Sequence, residues 1–348
     1  MYRVDLRSDT VTTPSDAMRR AMAEAEVGDD WFGTDPTVNR LQEAAAEAVG
    51  TEAAHYVPTG TMANQIGLRL HFRGPGHFVV AERTSHVAST EVMSAAALSG
   101  IAYRTIAGDD RGQVTAEQVV GALEEDEPYG VEVVDLVSVE NTHGHAGGCV
   151  MSVEDLRAIR KVADEAGVPI HLDGARIFNA AAAAGLDVTD WTREADTVMF
   201  CVSKGLGAPV GSLICGPAEL MPEARRLKIL FGGAWRQAGV LAAAGLVALR
   251  EGPKRLHEDH VRARRLADAL AELVPGGIDQ ASVETNMVFL DTEPVEISPL
   301  EAIRRLEGEG VGATLVSGKV RMVTHVDVSD RDIETAIAAW KAVVVDGR

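Results

Sequence analysis

A chain of 348 residues with a formal net charge of −19 repels polyanions, so neither nucleic acid nor an anionic membrane surface is an expected partner. Hydrophobic residues make up 46% and charged residues 24%, the balance of a globular protein, and the length suits two domains or one large domain with an appendage. The opening residues hold no apolar signal core, no run approaches a membrane span, and Cys149, Cys201 and Cys215 lack the spacing of a zinc site or a disulfide framework, so a cytoplasmic protein with reduced thiols and no bound metal is expected.

Short apolar, β-branched runs at residues 55–58, 77–81, 102–106, 133–140, 169–173, 197–202 and 211–215 read as strands. Amphipathic stretches at 63–70, 116–123 and 153–166 lie between them as helices. This alternation predicts an α/β fold with a mainly parallel, seven-stranded sheet sandwiched by helices, whose ligands gather at the carboxyl ends of the strands. Beyond Trp235 the pattern changes to a helix at 237–249, a break at Glu251-Gly252-Pro253 and a second helix to about residue 273. A strand at 287–290, a helix at 299–309, a strand at 320–325 and a helix at 330–343 then form a smaller α+β domain. The division is expected near residue 245, with 1–245 as an N-terminal segment plus the large domain and 246–348 as the small C-terminal domain.

The candidate chemistry lies at predicted strand ends. Pro58-Thr59-Gly60-Thr61 joins a strand to a helix; Gly60 allows close backbone approach, Thr61 adds a hydroxyl, and a helix N-terminus suits a phosphate. The same pattern also serves as an ordinary N-cap. His86 follows the second strand, where an imidazole can stack on an aromatic ligand or move protons. His143 and His145 are two apart without a third ligand nearby, which argues against zinc. Asp173 ends an otherwise apolar strand, either capping the next turn or holding a pyridine nitrogen protonated. Lys204 comes thirty-one residues later, after a buried strand and before Gly-Leu-Gly-Ala-Pro, a setting that favours a nucleophilic amine. A carboxylate and a lysine of this kind are the protein's main contributions to pyridoxal phosphate chemistry. Arg176, Arg236 and Arg321 are further guanidiniums suited to carboxylate or phosphate.

The segments 7–12, 27–30, 35–39, 58–65, 140–143, 172–176, 203–212 and 236–239, taken in order along the chain, resemble the low-specificity L-threonine aldolases. These are pyridoxal phosphate enzymes of fold type I, in the β-eliminating lyase group. The resemblance implies a covalent aldimine of pyridoxal 5'-phosphate on Lys204, Asp173 at the pyridinium nitrogen and His86 on the ring face. Gly60, Thr61 and Arg236 would hold the phosphate, Arg236 reaching a neighbouring subunit's cofactor. Ser8, Arg176 and Arg321 would bind the substrate carboxylate, Arg176 also lying near the ring 3′-oxygen, and His143 would face the substrate hydroxyl.

It further implies a homotetramer, a dimer of dimers with active sites at the dimer interface, and retro-aldol cleavage of threonine or allo-threonine to glycine and an aldehyde. The base is His143 or a water held by His86 and His143. β-Elimination or another amino-acid transformation on the same scaffold, and a non-catalytic pyridoxal-phosphate-binding protein, are the competing functions. Three positions depart from the family pattern: Phe32 replaces a tyrosine, Thr34 replaces a glutamate, and Phe231-Gly232-Gly233-Ala234-Trp235 replaces a triple-glycine turn. They bear on substrate size and stereochemical preference.

Overall fold

A computed structural model of the protein describes residues 2–124 and 133–345. Seven strands form the central sheet: Ala53–Val57 (β1), His77–Glu82 (β2), Ala102–Ile106 (β3), Val133–Glu140 (β4), Ile170–Asp173 (β5), Thr197–Cys201 (β6) and Ser212–Gly216 (β7). Their spatial order is β1-β7-β6-β5-β4-β2-β3. Only β7 runs against its neighbours; the contacts β6–β5, β5–β4, β4–β2 and β2–β3 are parallel. Every residue of β5, β6 and β7 is buried, which is why these strands read as continuous apolar runs rather than as an alternation.

The register decides what reaches the ligand end of the sheet. Glu140 pairs with Asp173, and Asp173 with Met199, so β4 and β5 end level and β6 runs two residues further. Glu82 closes β2 at the same end, because β2 and β4 run parallel. Three carboxylates, followed by Lys204 just beyond β6, are therefore delivered to one edge.

The smaller unit is an antiparallel sheet of Met287–Leu290 (β8), Thr314–Val316 (β9) and Lys319–Val323 (β10), in the order β9-β10-β8. The helices Leu256–Leu273, Pro299–Gly308 and Asp330–Val345 accompany it, and Leu266, Leu270, Val288, Met322 and Trp340 share its core. The chain start belongs to this packing as well. Val4–Asp5 pairs in parallel with Val311–Gly312, and Val4 and Leu6 lie in the second core. That pairing carries Ser8 and Asp9 to the junction of the two units.

Residue 245, the expected division, lies inside the helix Gly239–Glu251. Val247, Ala248 and Leu256 still pack with the large-sheet core, whereas Ala263 belongs to the second. Helices at Asp16–Ala23, Pro36–Val49, Val92–Ser99 and Met221–Leu230, and the strand β9, add to the elements expected from the sequence.

Candidate active site

Asp173 is buried at the end of β5, and its two oxygens have different partners. Oδ1 accepts the Ala175 N–H at 3.1 Å, the local turn predicted by the capping reading. Oδ2 accepts the Asn64 amide at 2.8 Å, from the helix Gly60–His71. Asn64 also donates to Glu91 at 3.2 Å, and Glu91 accepts from Gln65 at 2.9 Å.

A donating Asn64 amide leaves its Oδ1 to accept from His171 Nε2 at 3.2 Å, which makes His171 Nδ1 the acceptor of the Thr197 hydroxyl at 3.0 Å. Burial pushes the His171 ring down to about 4, so this relay is neutral. Gly67 admits the ring, since a Cβ there would lie 2.2 Å from it.

His86 opens the turn after β2, and its Nδ1 faces Glu91 Oε1 at 2.9 Å. Burial opposes charge on this ring, but the Glu91 hydrogen bond and the charges of Asp173, Glu91 and Glu140 outweigh it and raise the pKa. Glu140 completes the corner, accepting the backbone N–H of His86 at 2.6 Å and of Gly144 at 2.8 Å.

On the small-domain side, Arg176 forms a bidentate pair with buried Asp9, both bonds 2.6 Å long. Burial alone would raise the Asp9 carboxyl; Arg176, with help from Lys204 and Asn286, brings it down to about 2. Ser8 caps the short turn beside it and accepts the Thr10 N–H at 3.2 Å. Arg321, on β10, donates to the Thr314 hydroxyl at 3.2 Å and to the Arg7 carbonyl at 3.1 Å. Its pKa is lowered first by burial and then by the charge of Arg176. Its hydrogen-bond partners are neutral oxygens; among the described residues it forms no ion pair with a carboxylate.

Lys204 is half-buried just past β6, and its ammonium has no hydrogen bond or ion pair among the described residues. Gly60 is wedged against β6 and β7, where a Cβ would lie 2.9 Å from Cys201 Sγ. Thr59 caps the helix through the Met62 N–H, leaving the N–H groups of Gly60 and Thr61 without partners among the described residues. His143 is buried against Glu82 at 3.0 Å. Arg236 is exposed and lies over the Trp31 ring at 4.9 Å.

This donor set fits pyridoxal phosphate: an anchored buried carboxylate for a ring nitrogen, an unpaired amine, a histidine ring, and a helix N-terminus with free N–H groups for a phosphate. Residues 5–293 match the β-eliminating lyase family. Low-specificity L-threonine aldolase 1 of Arabidopsis thaliana is 38% identical, over 99% of this chain and 97% of its own length. The low specificity L-threonine aldolase of Escherichia coli K12 is 39% identical, over 97% of this chain and 98% of its own length. The chain belongs to the low-specificity L-threonine aldolase group of the β-eliminating lyases.

The solved Leishmania major threonine aldolase superposes with a TM-score of 0.82 at 21% identity, covering 98% of this chain and 99% of that one. The family's fold type I, a large sheet domain with a smaller C-terminal domain, is the architecture of this chain. Sequence reasoning did not single out Asp9, Asn64, Glu82, Glu91, Glu140 or His171. Glu82 and Glu140 carried the same signal as Asp173, an acid closing an apolar strand. Asp9 and Asn64 lie in segments that carry the resemblance, but their partners Arg176 and Asp173 are distant in the chain, and Glu91, although five residues from His86, ends no strand.

Proposed function

We propose that the chain is a pyridoxal-phosphate-dependent lyase that cleaves L-threonine, L-allo-threonine and related β-hydroxy-α-amino acids to glycine and an aldehyde. The observation that carries the substrate class is the surplus of positive charge at the domain junction. Arg176, Arg321 and Lys204 gather around Asp9, and Arg321 is left to neutral oxygens. A half-buried guanidinium short of one negative charge suits a substrate carboxylate.

Lys204 would hold the cofactor's carbonyl carbon, Asp173 would keep its ring nitrogen protonated, His86 would cover the ring face, and Gly60 and Thr61 would cradle the phosphate. When bound, the cofactor withdraws electrons from the substrate α-carbon and so weakens its bonds. The rest falls to side chains. Arg321, Ser8 and the remaining Nη1 of Arg176 fix the carboxylate, and fixing it chooses which α-bond is aligned for cleavage. His143, or a water it holds with His86, takes the β-hydroxyl proton.

Arg236 acts toward the phosphate of a second copy in a dimer of dimers. The support is its exposure beside Trp31 and the exposed Phe32 and Leu230. Two units are proposed for the chain, dividing after the helix Gly239–Glu251 rather than within it.

The test is product analysis with L-threonine. Acetaldehyde and glycine in equal amounts are expected; ammonia and oxobutanoate as the main products would replace this reading with β-elimination.

A further inference from the structure

The buried pair of His143 and Glu82 is not explained by cofactor binding. His143 Nε2 lies 3.0 Å from Glu82 Oε2, while Nδ1 is buried with no hydrogen-bond partner among the described residues. Glu82 is itself fixed: Oε2 accepts the Thr84 N–H at 2.6 Å and the Thr84 hydroxyl at 2.8 Å, and Oε1 accepts the Gly108 N–H at 3.4 Å. The loop that supplies Gly108 then covers the ring. Gly112, at a φ of +69°, sits so close that a Cβ would lie 2.5 Å from His143 Cγ. Arg111 of that loop pairs with Glu284 of the small domain and donates to the Val150 carbonyl at 3.2 Å. The ring is held on one edge and covered on one face, and Nδ1 is the ring nitrogen left without a hydrogen-bond partner among the described residues.

We propose that Glu82 is a positioning residue for bond cleavage: it holds the His143 Nε2–H so that Nδ1 carries the lone pair that accepts the substrate's hydroxyl proton, directly or through one water. This rests on the cleavage reading above. In the step, the hydroxyl O–H bond breaks and its proton forms the Nδ1–H bond. The oxygen's electrons become the aldehyde C=O as the Cα–Cβ bond breaks. The pair from that bond stays with Cα, and return of the proton there gives glycine. The carboxylate fixes the tautomer and raises the basicity of the ring, as carboxylates do for histidines elsewhere.

The charges facing the ring are Glu82 from β2, Glu140 from the end of β4, Asp173 from β5, and His145 two residues on. The covering loop adds Arg111, whose charge is countered by Glu284. Burial lowers the His143 pKa, but Glu140, Glu82 and Asp173 together raise it above the ordinary value. Loss of the Glu82 charge leaves burial less opposed, so the ring becomes a weaker base.

The test reads the ring before it reads activity. In the holoenzyme labelled with 15N-histidine, with the His143 signal assigned from His143→Asn, the neutral ring is expected to be protonated on Nε2. Glu82→Gln is expected to lower the His143 pKa by about one unit. The acid limb of kcat/KM for L-threonine shifts down by the same amount, kcat falls about 10–100-fold, and KM stays within about twofold. Glu82→Asp, which keeps the charge, recovers part of the loss. An Nδ1-protonated ring in the unaltered protein overturns the proposal, and that result needs no variant to fold. So does a Glu82→Gln enzyme whose His143 titration and pH profile are unmoved. If the unaltered enzyme forms no glycine from threonine, the cleavage reading fails and with it the proton-transfer role, while the ring spectra still report separately whether Glu82 sets the tautomer.

Discussion

Asn64 donates to Asp173 at 2.8 Å, and the same amide nitrogen reaches Glu91 at 3.2 Å, so one side chain ties the strand-end carboxylate to the group that holds His86. His171 and Thr197 fix the amide from behind. The orientation of Asp173 is thus set by a helix residue whose own orientation is set by the neighbouring strands.

Replacement of Asn64 by leucine, close to it in shape, removes the donor and leaves a buried carboxylate oxygen with no side-chain partner. The expected cost is about 2 kcal/mol, read as a lower midpoint in urea, together with faster loss of cofactor on dialysis. An unchanged midpoint would show that the relay is not needed for stability.

The Lys204 ammonium has no hydrogen bond or ion pair among the described residues, so truncating the side chain costs little pairing energy. Lys204→Ala is expected to lower cleavage by at least about 10³-fold with the melting temperature nearly unchanged and the visible absorption of the bound cofactor lost. Lys204→Arg keeps the charge but not the nucleophile, and is expected to be equally inactive. Full activity in either variant would refute the covalent role.

Arg321→Leu is expected to raise KM for L-threonine about 10–100-fold, the worth of charge-assisted hydrogen bonds to a carboxylate, with a smaller effect on kcat. A variant with normal KM would remove Arg321 from the substrate site and leave the surplus charge at the junction to another ligand.

Acid stability follows from the buried histidines. His55, His171 and His260 are each pushed down to about 4, mainly by burial. An unfolded histidine takes a proton near 6.5. The unfolded state therefore binds more protons between these values, and stability present above pH 6.5 is lost as pH falls toward 4. His171, the most deeply buried of the relay, accounts for a loss on the order of 3 kcal/mol over that window. Asp9 and Glu82, held at about 2, act in a lower window: their contribution is present above about 4 and disappears as pH falls through 2. Urea unfolding at pH 7, 5 and 3 is expected to show both declines. His171→Gln reduces the first and leaves the second, and a stability flat from pH 7 to 5 would contradict the neutral relay.

The alternation of short apolar runs with amphipathic stretches is local, and it placed all seven sheet strands to within a residue or two. The same local signal put Asp173 at a strand end and His86 and Lys204 just past strands, where a parallel sheet collects its chemistry. It was less informative for helices such as Val92–Ser99, which lacks a distinct apolar stripe because both faces carry small or apolar residues. It set the expected division at residue 245, inside the helix Gly239–Glu251, since an alanine- and leucine-rich helix does not announce which core it joins.

Residue type and spacing along the chain therefore determined the layered fold and which polar groups stand at or just past the strand ends, because these depend on what ends each strand. Tertiary structure alone decided how those groups are charged and aimed. Asp9 meets Arg176 across 167 residues, and Glu82 meets His143 across 61. Both carboxylates arrive through pairings between elements remote in sequence: Val4–Asp5 with Val311–Gly312, and β2 with β4. A buried ion or ring takes its pKa and orientation from whatever the fold packs around it, and a linear pattern contains no record of that company.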